Sequence, residues 1–353
     1  MNSTLKDQLG LRHAIVQAPM AGGPTTAELV TAVSSAGALG SFGFAYSTPE
    51  QIHTQCKSMQ QIDSNSVWNA NFFVFPPASA LQENDLASAI KSLQPLCQRV
   101  SVDAESLDAS TALPVLSQQL EAALQYRPRL VSFHLGIPTS EILNAVRSTN
   151  ALIALSATSV AEALQCQQAG ANFIVAQGIE AGGHRGIFDP SNQDEKLTTL
   201  ELVRQLSKQC SIPIIAAGGI MNGGDIVAAH RTGADAVQMG SAFLTVDEAG
   251  SSTVYRAAIK QLGNRDTVIT RGFSGRPARG IKNLFTDTTE QTSVLAFPHQ
   301  NALTASLRKA AAANSDYELL SLWAGSAYRN ARHCSAARLV EQLQDEITQA
   351  MDG

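Results

Sequence analysis

From residue 14 to past residue 240 the chain repeats one pattern, a short apolar run followed by a longer stretch with the apolar spacing of an amphipathic helix. The runs are AIVQAPM (14–20), ALGSFG (38–43), WNANFFVF (68–75), RLVSFH (129–134), ALIALSA (151–157), NFIVAQ (172–177), PIIAAGG (213–219) and DAVQMG (235–240). Runs that are apolar almost throughout, rather than alternating, read as strands covered on both faces, and helices between them make neighbouring strands parallel. Local signals agree. Thr25 or Thr26 caps a helix that stops at Gly37, and Ser47-Thr48-Pro49 joins a hydroxyl cap to a proline in the first helical turn. Eight such units predict an α/β fold, a parallel (β/α)8 TIM barrel. Between 76 and 100 the composition turns to Pro, Ser, Gln and Asn around short helical patterns, which predicts an insertion after the third strand, placed as a lid or flank. The rhythm stops near 245. Residues 1–245 are therefore expected to form the barrel, and 246–353 a C-terminal segment and helical extension packed on it.

Composition excludes several classes. With 44% hydrophobic and 16% charged residues, the chain is too apolar for a disordered protein and too polar for a membrane protein. No run approaches the length of a membrane helix, and the start, MNSTLKDQLG, lacks the apolar stretch of a secretory signal, so a cytoplasmic protein with no membrane partner is expected. A net charge of −5 without any Lys/Arg block argues against nucleic acid. Cys56, Cys97, Cys166, Cys210 and Cys334 are scattered with no Cys-x-x-Cys pair, so neither a disulfide framework nor a metal site is indicated.

In a barrel of this kind, chemistry sits just after the strands, at their C-terminal tips. The tips carry Met20, Ala21 and Gly22 after the first strand, Asn71, His134, the loop Gln177 to Gly186, Gly218-Gly219, and Met239-Gly240-Ser241. Glycines after the seventh and eighth strands let the backbone approach an anion, which predicts a phosphorylated ligand. AQGIEAGGHRG (176–186) is the most informative segment: a glycine loop carrying Glu180, His184 and Arg185. An imidazole there can exchange a proton or sit beside an anion. The side-chain amides of Gln177 and Asn71 suit the polar edge of a flavin ring. His134 is either a substrate contact or a satisfied barrel-mouth histidine. Glu180 and Arg185 either orient His184 or pair with each other. The arginines of RGFSGRPARGIKN (271–283) either close over the phosphate or anchor the tail near the flavin end, the second being preferred.

QAPMAGG (17–23), AQGIEAGGHRG (176–186), AAGGI (216–220), VQMGSAFL (237–244) and SGRPARGIKN (274–283) together resemble the nitronate monooxygenases of the bacterial class I type, formerly called 2-nitropropane dioxygenases. The resemblance covers roughly residues 10–300. It implies an FMN-dependent oxidoreductase that oxidises alkyl nitronates, such as propionate 3-nitronate, with molecular oxygen and so detoxifies them. It also implies His184 as catalytic with His134 nearby, and FMN contacts at Met20, Gly22, Asn71, Gln177, Gly182, Gly219 and Gln238 to Ser241. With the tip residues above, the candidate cofactor-binding set is Met20, Ala21, Gly22, Asn71, Gln177, Gly182, Gly218, Gly219, Gln238, Met239, Gly240 and Ser241. The chain departs from the family where a pocket with tyrosines and a lysine is expected. AFPHQNALTASLRKAAA (296–312) has no tyrosine, leaving Phe297, His299 or Lys309 as candidates.

The nearest rival is an NAD(P)H-dependent flavin reductase of the same barrel type, resembling enoyl-acyl-carrier-protein or quinone reductases, which share the EAGGH pattern. No G-x-G-x-x-G follows a strand. A phospho-substrate barrel without flavin needs a nucleophilic cysteine or a Schiff-base lysine at a strand tip. Cys210 lies instead on the opposite rim, and none of the eight runs ends in lysine. A binding protein without catalysis leaves the histidine in a glycine loop unexplained.

Overall fold

A computed structural model describes residues 2–75 and 81–352. Its strands are β1 (Ile15–Gln17), β2 (Gly40–Gly43), β3 (Trp68–Phe73), β4 (Leu130–His134), β5 (Leu152–Ala157), β6 (Phe173–Gln177), β7 (Gly183–His184), β8 (Ile214–Ala217), β9 (Ala236–Met239), β10 (Thr267–Thr270) and β11 (Ala278–Ile281). Eight of them form one parallel sheet in the order β1-β9-β8-β6-β5-β4-β3-β2. A parallel bridge between Val16 and Leu39 joins its two ends, so the sheet is a barrel, as the sequence pattern predicts.

Side chains alternate across each strand, and the inward set changes character along the barrel. At the bottom Leu130, Phe173, Ile215 and Ala236 form an apolar plug with Leu5 and Leu9 of the N-terminal helix Thr4–Leu9. Asp235 holds that helix by accepting from the Ser3 hydroxyl and the backbone N–H groups of Thr4 and Leu5. At the top the inward residues of the same strands are His134, Gln177 and Gln238, which border the cavity described below. The outward residues, among them Ile15, Phe42, Phe72, Ile153 and Ile174, pack under the surrounding helices. The caps fall where expected. Thr26 accepts from Leu29 N–H, Thr48 and Gln51 form a capping box around Pro49, and Gly37 takes φ +83° at the end of its helix.

Residues 76–80 of the expected insertion lie outside the described residues; the rest is the helix Glu83–Arg99. Its Leu93 and Leu96 share a second apolar cluster with Leu244, Phe273, Phe285, Leu303, Leu307 and Tyr328 from the C-terminal third. That third is not simply helical. β10 and β11 form an antiparallel hairpin, and β11 also pairs with β7 inside the glycine loop. Sequence missed this three-stranded sheet because each strand is two to four residues long and β7 finds its partner, β11, far along the chain. The final helix, Ala336–Asp352, packs against the helices Gly223–Thr232 and Ala27–Ser35 with Leu339, Leu343 and Ile347 buried. Among the described residues no helix is long and apolar enough to cross a membrane.

Candidate functional site

All fourteen candidate site residues line one cavity of about 490 Å³ at the C-terminal ends of the barrel strands. Barrel closure accounts for this, since residues that follow different strands converge on one rim.

His184 lies in β7, tied on one side to β11. Its backbone carbonyl accepts from His134 Nε2 and Gln177 Nε2, both at 3.0 Å, and Gln177 Oε1 accepts from Gly186 N–H at 2.7 Å. The Gln177 amide therefore holds the loop from both ends. His134 uses its other nitrogen on the Ser156 hydroxyl, at 2.6 Å, so both of its ring nitrogens are engaged within the protein. The His184 ring is enclosed by Phe73, Phe297 and Trp323, with centroids 5.7, 6.4 and 5.7 Å away, and its Nε2 lies 2.9 Å from the Ser274 hydroxyl. Burial pushes His134 down to about 4 and His184 down to about 3, helped for both by the Arg276 guanidinium. Two neutral imidazoles result. Asn71 donates to the Ser132 hydroxyl at 2.9 Å, and its Oδ1 accepts nothing among the described residues.

Neither expected role for Glu180 and Arg185 holds. Glu180 accepts from Thr199 N–H and Oγ at 2.9 and 3.1 Å, capping the helix Thr199–Gln209, whose first N–H groups need an acceptor. Arg185 makes a bidentate pair with Asp194 at 2.9 and 3.0 Å and donates to the Gln177 carbonyl. The arginines of the glycine-containing segment anchor rather than close over a ligand. Arg276, 2% exposed, donates to the Ile187 carbonyl, and Arg279 donates to the Ile179 carbonyl at 2.9 Å.

At the far side, Gly218 and Gly219 take φ +123° and +72°, and a Cβ at Gly218 would stand 2.9 Å from Ala181 N. A segment that sequence reasoning missed closes this end. Gly325 N–H donates to Ser241 Oγ at 2.8 Å, and Ser326 N–H donates to the Glu180 carbonyl at 3.0 Å. Because Ser241 Oγ accepts there, its own proton stays available to a ligand. Ser251, also on the lining, has a buried hydroxyl with no partner among the described residues.

The late segment contributes a different residue from those expected. His299 faces the Ala109 carbonyl, Lys309 is exposed, and neither borders the cavity; Phe297 reaches it only as a wall of His184. Arg308 lines the cavity. It donates from Nη2 to Asn301 O and Oδ1 at 2.7 and 3.1 Å and from Nε to the Thr304 carbonyl, while Nη1 has no partner and no carboxylate pairs with it among the described residues. Helical phase was the available signal: Leu307 and Ala311 are buried on one face of Ala305–Ala313, and Arg308 and Ala312, four apart, share the cavity face. Tyr46 and Tyr255 supply phenols from outside the late segment, and burial pushes Tyr46 up to about 12.

A parallel barrel whose strand tips converge on one cavity of neutral imidazoles, an unpaired guanidinium and glycine-lined walls is the architecture of a barrel enzyme. The chain belongs to the nitronate monooxygenase family, whose model matches residues 2–346, and this places it among oxidoreductases. It is 37% identical over 350 residues to a probable nitronate monooxygenase of Staphylococcus aureus strain Newman, covering 98% of both chains. A probable nitronate monooxygenase of Staphylococcus haemolyticus is 36% identical over 355 residues, covering 98% of this chain and 97% of that one. Among solved structures, nitroalkane oxidase from Streptomyces ansochromogenes matches with a TM-score of 0.92 at 34% identity, covering 99% of each chain. FabK from Thermotoga maritima shares the fold, with a TM-score of 0.76 at 23% identity, covering 100% of this chain and 98% of that one.

Proposed function

We propose that this chain is an FMN-dependent nitronate monooxygenase that oxidises alkyl nitronates of the propionate 3-nitronate type with molecular oxygen and so detoxifies them. The observation that carries this reading is Arg308, a half-buried guanidinium that lines the cavity and pairs with no carboxylate among the described residues. A guanidinium drawn from bulk water without a counter-charge is costly, so a cavity lined by one suits an anion, and a nitronate is an anion. The family match supports the same substrate class.

The residues fit FMN. Adding a Cβ at Gly22 would meet nothing within 4 Å, and at Gly240 only Ala18 Cβ at 3.5 Å, so at both positions the backbone lies open to the cavity. The cradle for the phosphate is Gly218, Gly219, Gly240 and the free Ser241 proton, closed by Gly325. Met20, Ala21, Gly22, Asn71, Gln177, Gly182, Gln238 and Met239 border the remaining length, with the idle Asn71 Oδ1 as an acceptor for a ring N–H. When bound, FMN would supply the one-electron redox chemistry that links nitronate oxidation to oxygen. The chain's own part is to bind and orient. Arg308 Nη1 takes the anionic group, Tyr46 and Trp323 wall the substrate, and Phe73, Phe297 and Trp323 hold the His184 ring. His184 is the catalytic imidazole facing the substrate. His134 fixes the loop through the His184 carbonyl.

Anaerobic mixing of the purified protein with propionate 3-nitronate, and separately with NADH, tests the reading through the flavin spectrum. Rapid loss of oxidised-flavin absorbance with nitronate alone is expected. Full bleaching by NADH alone would make the protein a reductase, and no flavin absorbance after reconstitution would remove FMN.

A further inference from the structure

We infer that Ser274 is a positioning residue that holds the His184 ring in the tautomer protonated on Nε2, so that His184 presents its bare Nδ1 to a ligand as a hydrogen-bond acceptor. Three groups surround the Ser274 hydroxyl, which is 1% exposed. They are His184 Nε2 at 2.9 Å, the Arg276 carbonyl at 3.2 Å and Arg276 N–H at 3.4 Å. A hydroxyl has one proton to give and two lone pairs to receive with. Arg276 N–H can only donate, and the Arg276 carbonyl can only accept. Among the described residues that carbonyl has no other donor than Ser274. One arrangement satisfies every group: Ser274 donates to the carbonyl and accepts from Arg276 N–H and from His184 Nε2–H. In the reverse tautomer Ser274 donates to His184 and a buried carbonyl is left with no donor, which folded proteins avoid.

The other nitrogen completes the argument. His184 Nδ1 has no partner among the described residues, yet it is not one of the buried, unpartnered atoms, so it opens onto the cavity that the ring lines. The walls of Phe73, Phe297 and Trp323 hold the ring plane, and the pairing of β7 with β11 holds its backbone. His134 is bound in the same tautomer, since its Nε2 faces a carbonyl that can only accept. The consequence for the substrate rests on the nitronate reading above, whereas the tautomer does not. A bare lone pair repels an oxyanion and attracts an acidic C–H, N–H or O–H. The anionic oxygens of the nitronate group therefore turn towards Arg308, and a C–H of the substrate turns towards His184.

The test is long-range 1H–15N correlation on the purified chain labelled with 15N-histidine, with the His184 signal identified by its loss in H184N. We expect a proton-bearing Nε2 and an unprotonated Nδ1 for His184 from pH 6 to pH 8. S274A should shift the signal towards a mixture of tautomers, and S274T, which keeps a hydroxyl, should retain the wild-type pattern. A wild-type His184 protonated on Nδ1, or an S274A spectrum identical to wild type, overturns the inference. Should S274A not fold, the wild-type and S274T spectra still decide it. A protein that gives the expected tautomer but whose flavin does not respond to nitronate keeps this inference and loses the proposed function.

Discussion

Arg308 and His184 divide the work of the cavity between a donor cation and a neutral ring. Arg308 stays unpaired because Asn301 and Thr304, its hydrogen-bond partners, offer only neutral acceptors. Hydrogen bonds to a charged group contribute about 1.5–3 kcal/mol, so R308M should lower kcat/KM for propionate 3-nitronate by about 10- to 100-fold. R308K should recover part of the loss without restoring the planar fork. Oxygen consumption at varied nitronate measures both, and an unchanged kcat/KM in R308M would remove Arg308 from substrate binding. The sequence offered Phe297, His299 or Lys309 for this part of the pocket, and Arg308 was not among them. Which side chain reaches the cavity depends on which face of Ala305–Ala313 meets the barrel mouth.

Short elements from separate parts of the chain assemble the loop that carries His184. β11 pairs with β7, Arg279 reaches the Ile179 carbonyl, and the stretch after Trp323 closes on Glu180 and Ser241. Each contact uses backbone groups at close approach. A Cβ on Gly325 would lie 2.8 Å from the Glu180 carbonyl and 3.3 Å from Ser241 Oγ, so even a methyl group must push this wall outward. G325A should therefore loosen the cofactor while leaving the barrel folded. We expect FMN to dissociate about tenfold faster, or roughly 1.4 kcal/mol of lost retention, read as flavin fluorescence appearing on dilution with an unchanged far-UV spectrum. Retention equal to wild type would exclude the 323–327 stretch from the cofactor wall. The glycines of 176–186 were legible as a functional loop, but Glu180 and Arg185 were not assignable within it. Their partners, Thr199 and Asp194, compete with His184 only once the loop is folded.

Across the whole molecule, burying two imidazoles links stability to pH. Both are neutral in the folded protein, with values lowered to about 4 and about 3, whereas the unfolded chain protonates them near 6.5. Below pH 6.5 the unfolded state binds more protons, so the stability these groups contribute is full above that pH. It is lost as pH falls towards 4 for His134 and towards 3 for His184, with a limiting slope of about 1.4 kcal/mol per pH unit for each. Urea midpoints should drop between pH 7 and pH 5, and less so in H134N; equal pH dependence in the two proteins would contradict this account. The barrel itself, its strand count and the position of all fourteen candidate residues at one rim follow from sequence, because buried parallel strands must be apolar on both faces and the residue that ends each run stands at the mouth. Period and punctuation are local properties, and a chain displays them without folding. The partners are not local. Arg308, Tyr46 and Gly325 reach the cavity, and Ser274 reaches His184, through packing between distant segments, so which side chains face His184, and with which atom, was decided only when the barrel closed and the C-terminal third settled over its mouth.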